Sequence, residues 1–181
     1  MTKPFPLWEG FFFVLRFSPK TATLLFMRLA LIVSILVASL ALNAQTLQGR
    51  VVRVADGDTI TILDEAKVQN KVRLNKIDAP EKRQAFGEVS RKHLASMVAS
   101  KVVQVQWEKR DKYGRILGDM PIGEVNANLE MVKSGLVWYY KRFDTTTIFA
   151  QAENDARVKK VGLWKDSNLT PPWEFRKQNR K

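Results

Sequence analysis

Leu47-Gln48-Gly49-Arg50-Val51-Val52-Arg53-Val54-Ala55-Asp56-Gly57-Asp58-Thr59-Ile60-Thr61-Ile62-Leu63 is a pair of strand-like runs around a turn. The segment to Val54 is valine-rich, Thr59–Leu63 alternates Thr and apolar residues, and Asp56-Gly57 between them reads as a tight hairpin turn. Outward from this pair, Lys71–Ile77 alternates charged or polar with apolar residues, as does Lys101–Trp107, and Arg115–Met120 reads as a further strand. Those runs predict five strands. Helices are expected from about Phe86 to Ala99, from Val125 to Ser134 before Gly135, and from Thr147 to Lys160 before Gly162. The tail after Pro171-Pro172 reads as extended and mobile. Strands first and helices interspersed later predict an α+β domain, a small β-barrel carrying about three helices.

The chain has 181 residues, 30 Lys+Arg against 18 Asp+Glu, one His and no Cys. Without cysteine there is no disulfide framework, thiolate zinc site, iron–sulfur cluster, cysteine nucleophile or lipidated-cysteine anchor. His93 alone cannot build a histidine metal cage, and its helical spacing from Val89 and Met97 fits packing. Trp107, Trp164 and Trp173 are likewise expected to pack. The formal charge of +12 calls for a polyanionic partner, nucleic acid first and an anionic membrane surface second. Residues 1–44 hold Lys3, Arg16, Lys20 and Arg28 against Glu9, so about +9 belongs to residues 45–181.

Residues 1–44 read as a leader. Leu29–Leu42 carries no charge and follows Arg28; it is too short for a bilayer span, which needs about 20 residues, and fits a signal-peptide apolar region. Cleavage is expected near Ala44, Met27 is a candidate true start, and the alternative is an uncleaved anchor at residues 29–42. The expected product is an exported domain, residues 45–181, secreted or periplasmic.

Three segments place hard-cation ligands and phosphate-binding cations beside strand ends: Asp56–Thr59, Arg73–Glu81 and Asp111–Arg115. Each alone could be an ordinary turn. Together, in a basic domain, they supply what phosphodiester hydrolysis requires. Carboxylate oxygens hold a hard cation, and guanidinium groups meet the charge that builds on phosphoryl oxygens.

These segments resemble the staphylococcal nuclease (thermonuclease) family. Asp56-Gly57-Asp58-Thr59 matches its Asp-Gly-Asp-Thr turn, Arg73–Glu81 its Arg-x-x-x-x-Asp-x-Pro-Glu stretch, and Asp111–Arg115 its Asp-Lys-Tyr-Gly-Arg. Gly135-Leu136, Gly162-Leu163-Trp164 and the Pro171–Arg176 tail, similar to that of exported bacterial members, extend the likeness to Arg176. The resemblance implies a five-stranded OB-fold barrel and calcium-dependent cleavage of DNA and RNA. It implies Asp58, Asp78 and the Ala79 backbone carbonyl as Ca2+ ligands. Many members carry Thr where this chain has Ala79, a change that a carbonyl ligand tolerates. It further implies Glu81 as general base, Arg73 and Arg115 as the catalytic arginines, and Lys112 and Tyr113 as substrate contacts. No stable protein partner is implied, and a monomer is expected. The alternative is a non-catalytic OB-fold binder of single-stranded nucleic acid, which has no need of clustered acids that repel phosphate. Trp138–Phe143 could stack bases or could pack.

Overall fold

The computed structural model describes residues 27, 28, 30, 31, 45–141 and 146–179. The chain divides into two compact units, Met1–Leu42 and Asn43–Lys181. Of the first, only Met27, Arg28, Ala30 and Leu31 are described, so most of the apolar run lies outside the described residues, as does the Ala44 cleavage point. No helix among the described residues is long and apolar enough to cross a membrane.

Five strands close a barrel in the order β1-β2-β3-β6-β5. They are β1 Gln45–Val54, β2 Thr59–Leu63, β3 Gln69–Leu74, β5 Val102–Arg110 and β6 Ile116–Asp119. All neighbouring pairs are antiparallel except β3 and β6, which run parallel with Arg73 opposite Leu117. Period-two alternation buries Val72, Leu74, Ile116 and Gly118 while Arg73 and Leu117 stay half-buried on the outer face. Ile60, Ile62, Val72, Val105 and Ile116, each almost fully buried, fill the barrel core. The α+β barrel that the strand patterns predict is therefore present.

Among the described residues of the second unit, four α-helices accompany it: α1 Gly87–Val98, α2 Ala127–Lys133, α3 Thr147–Val158 and α4 Pro172–Gln178. The first three sit where sequence periodicity places them, with one shortening. Val125-Asn126 is a short strand (β8) pairing with Pro121-Ile122 (β7), and α2 starts only after Asn126. The Asn126 side chain accepts the Leu129 N–H at 3.1 Å, a cap that ends the strand and begins the helix.

Three other expectations change. The β1–β2 connection is not a two-residue hairpin. It runs from Ala55 to Asp58, closed by the Ala55 N–H on the Thr59 carbonyl at 2.9 Å, with Asp56 Oδ1 accepting the Asp58 N–H at 3.0 Å. The run Lys71–Ile77 is broken, because Lys76 adopts φ 67° and turns the chain out of the barrel. Ile77-Asp78 then forms a separate strand, β4, against Trp138-Tyr139, β9. The tail is not extended. Pro172 occupies the first turn, where a missing N–H costs nothing, and Glu174 early with Arg176 and Lys177 late complement the helix dipole of α4.

Candidate active site

The site grows out of register. Thr59 on β2 stands opposite Arg73 on β3, and the Leu74 N–H donates to the Asp58 carbonyl at 2.8 Å. This places Asp58, at the mouth of the β1–β2 loop, beside the outward-facing Arg73 side chain. The turn at Lys76 folds β4 back so that Asp78 meets the same guanidinium. Gly57 permits the closure: a Cβ there would collide with Ser90 Oγ of α1 and touch Ala79 at 3.0 Å.

Asp58 and Asp78 are 3% and 1% exposed, so their charges need compensation. Arg73 supplies it. Its Nη1 pairs with Asp58 Oδ1, while its Nη2 donates to Asp78 Oδ1 at 2.8 Å and to the Ile77 carbonyl at 3.2 Å. Thr59 Oγ1 donates to Asp58 Oδ1 at 2.8 Å, and the Ala79 N–H to Asp58 Oδ2 at 2.7 Å. Burial alone would raise the Asp58 carboxyl; Arg73 and these two donors outweigh it and hold it below the ordinary value. Burial would likewise favour a neutral Arg73, but Asp58 and Asp78 drive its affinity for the proton upward. Asp56, not singled out from sequence, is pushed up to about 7 by burial and by the Asp58 charge.

The donor set fits a hard cation. Asp58 Oδ2 and Asp78 Oδ2 each accept one hydrogen bond among the described residues, so each keeps a lone pair. The Ala79 carbonyl follows Asp78 directly in the chain and adds a third oxygen to the set.

Glu81 lies just past Pro80, its side chain 39% exposed. Its carboxylate Oε1 accepts from Arg176 Nη1 at 2.8 Å, and Arg176 also donates to Asp78, Nη2 to Oδ2 at 2.7 Å and Nη1 to Oδ1 at 3.2 Å. Asp78 and Glu81 raise the proton affinity of this guanidinium, against a desolvation that opposes them. Sequence reading left Arg176 in a mobile tail. The signal that finds it is the helix grammar of Pro172-Trp173-Glu174-Phe175-Arg176-Lys177.

Arg115 immediately precedes β6, two residues before the partner of Arg73, and both arginines are half-buried. Asp111 anchors it. Asp111 Oδ2 accepts Arg115 Nε at 2.8 Å, and Asp111 Oδ1 accepts the Tyr113 and Arg115 N–H groups at 2.9 and 3.0 Å. Arg115 touches none of the three carboxylates in the described contacts. Lys112 and Tyr113 project from the β5–β6 turn, with Tyr113 68% exposed and Lys112 Nζ 5.0 Å from its ring centre.

The aromatic segment divides. Trp138 is 8% exposed and meets Trp164 edge-on at 4.5 Å, so it packs. Tyr140 is half-buried against Trp173, at 5.7 Å, while Arg142 and Phe143 lie outside the described residues. Trp107 and Trp164 pack as expected, and His93 is half-buried on α1.

Residues 71–166 match the family model described as staphylococcal nuclease homologue. An uncharacterized endonuclease of Escherichia coli is 46% identical over 132 residues, covering 72% of this chain and 85% of that protein. A second uncharacterized endonuclease, from Haemophilus influenzae, is 44% identical over 131 residues, covering 72% of this chain and 74% of that one. A micrococcal nuclease of Shigella flexneri is 38% identical over 144 residues, covering 74% and 82%. With a closed five-stranded barrel, paired buried carboxylates at its rim and this degree of likeness to nucleases, the chain belongs to the staphylococcal nuclease family.

Proposed function

We propose that this nuclease hydrolyses phosphodiester bonds of both DNA and RNA, with calcium held by Asp58, Asp78 and the Ala79 carbonyl. One observation carries the reading: two nearly dry carboxylates share one guanidinium, keep an oxygen lone pair each, and lie beside a half-exposed glutamate. A pure binder of nucleic acid has no use for such a cluster, which repels phosphate. Two carboxylates and a carbonyl provide three of the 6–8 oxygens that calcium takes, and a loop-built site suits calcium better than magnesium, which demands strict octahedral geometry. When bound, the ion supplies Lewis acidity and a template for the phosphate.

The chain's own groups do the rest. Glu81 orients a water and takes its proton on a carboxylate oxygen as the water oxygen attacks phosphorus and the ester oxygen departs. Arg73 and Arg115 meet the phosphoryl oxygens with planar forks that lysine cannot reproduce. Asp111 keeps the Arg115 fork aimed before substrate arrives. Lys112 and Tyr113 contact the nucleotide at the rim. We read the protein as exported, secreted or periplasmic, on the strength of the uncharged run 29–42 behind Arg28.

Glu81→Gln tests the assignment. Affinity for nucleic acid, and its decline with salt, should persist, because the basic surface sets both. Turnover should fall by roughly 10²–10⁴, the usual contribution of a general base. Near-normal turnover removes Glu81 from that role.

A further inference from the structure

The Glu81 carboxylate has no secondary structure to hold it. It sits on the segment between β4 and α1, and its described side-chain partner is Arg176 of α4, at 2.8 Å. The same guanidinium spans both oxygens of Asp78, whose position is fixed by burial and by Arg73. Arg176 is thus a bridge from an immobile carboxylate to an exposed one. A second link runs in parallel: Gln84 accepts the Glu81 N–H at 3.1 Å and donates to the Thr170 carbonyl, just before α4. The helix itself is docked on the sheet that carries Asp78. Trp173 lies 5.7 Å from the Trp138 ring, and Trp138 is the register partner of Asp78 on β9. Arg176 stands ten residues beyond the segment matched by the family model, which ends at residue 166.

A glutamate 39% exposed samples several rotamers, and a general base works only within hydrogen-bond reach of the water it deprotonates. The guanidinium grips Asp78 through both Nη1 and Nη2 and holds Glu81 Oε1 through Nη1, which restrains the glutamate. We propose that Arg176 is a positioning residue for hydrolysis: it fixes the Glu81 carboxylate at a set offset from Asp78, making the C-terminal helix part of the active site. The proposal rests on the reading of Glu81 as general base.

A double-mutant cycle on the full chain tests it, with kcat and KM measured on DNA in calcium for wild type, Arg176→Ala, Glu81→Gln and the double variant. Arg176→Ala should lower kcat at least about tenfold and move KM by less than about threefold, because orientation is lost and substrate grip is kept. In the Glu81→Gln background, removing Arg176 should change kcat by less than about twofold. Arg176→Lys, with charge but no fork, should recover only part of the loss, and Glu174→Gln on the same helix should match wild type. Thermal melts accompany every variant. If Arg176→Ala melts below the assay temperature, Arg176→Met, which keeps the aliphatic stem, takes its place. Wild-type turnover in Glu81→Gln overturns the general-base reading itself. A slow Glu81→Gln with a normal Arg176→Ala, or losses that multiply in the double variant, overturns the Arg176 proposal and leaves that reading standing. A faster Arg176→Ala overturns it too, since the guanidinium then blocks the carboxylates.

Discussion

Arg73 and Asp78 stand five residues apart and meet through a 2.8 Å hydrogen bond from Nη2 to Oδ1, although a strand end and a reversed turn separate them. Because the same guanidinium also pairs with Asp58, two buried anions share one cation, and Asp78 draws on Arg176 as well.

Removing that cation should therefore unfold as well as inactivate. Arg73→Ala leaves Asp58, 3% exposed, without its paired cation and Asp78, 1% exposed, with Arg176 alone, and a broken buried pair costs about 3–5 kcal/mol. Urea denaturation in chelator should show that loss, and added calcium should recover part of it, since ion binding to the native state adds stability. Wild-type stability for Arg73→Ala in chelator contradicts this account of the buried charges.

Charge alone does not describe either site arginine. Arg73→Lys and Arg115→Lys should each lower kcat by at least about 10²-fold at saturating substrate, the scale set by losing one preorganised donor. Arg53→Lys, at an exposed position on β1, is the control and should be silent. Equal behaviour of all three means that the arginines only steer substrate.

The barrel was legible because alternation in Thr59–Leu63 and Lys71–Leu74 marks strands, although β2 is buried on both faces and only β3 alternates in exposure. The carboxylates were legible as motifs, since Asp-Gly-Asp-Thr and Asp-Ala-Pro-Glu place oxygens at strand ends, and they converge in space with Arg73. The Lys76 break was hidden, because a single left-handed residue leaves the alternation intact on both sides. Arg176 was hidden for another reason. Its contacts with Glu81 and Asp78 span 95 and 98 residues, and local pattern carries no sign of a contact between segments so far apart. Arg115 lay within its motif, but the motif did not say that Asp111 would hold it back from the carboxylates.

Asp111 offers a pH-dependent check on that anchor. Burial pushes its carboxyl up, but Arg115 and two backbone N–H groups pull it below the ordinary 3.8. A carboxyl lowered in the folded state stabilises above its unfolded value and loses that contribution as pH falls through its folded one. Asp111→Asn should cost about 1 kcal/mol at pH 7, the upper end for a solvent-screened ion pair, with the gap from wild type closing below about pH 3.8. Its kcat should drop as the Arg115 fork loosens. A stability gap that stays constant from pH 7 to pH 2 contradicts the pairing.

Gly57 should tolerate no side chain. A Cβ would strike Ser90 Oγ and press on Ala79, so Gly57→Ala must shift the Asp58 loop or α1. Overpacking of this kind costs about 1–3 kcal/mol, and calcium affinity measured by calorimetry should fall with it. Unchanged calcium affinity in Gly57→Ala separates the loop from the cation site.

The central claim is that the paired buried carboxylates hold calcium for hydrolysis of both nucleic acids. Supercoiled plasmid and a structured RNA are incubated with the full chain in calcium, in magnesium and in excess chelator, with band-shift binding followed in parallel. The account predicts rapid cleavage of both in calcium, slow cleavage in magnesium and none in chelator, with binding surviving throughout. Undiminished cleavage in chelator, or binding without cleavage in calcium, contradicts it.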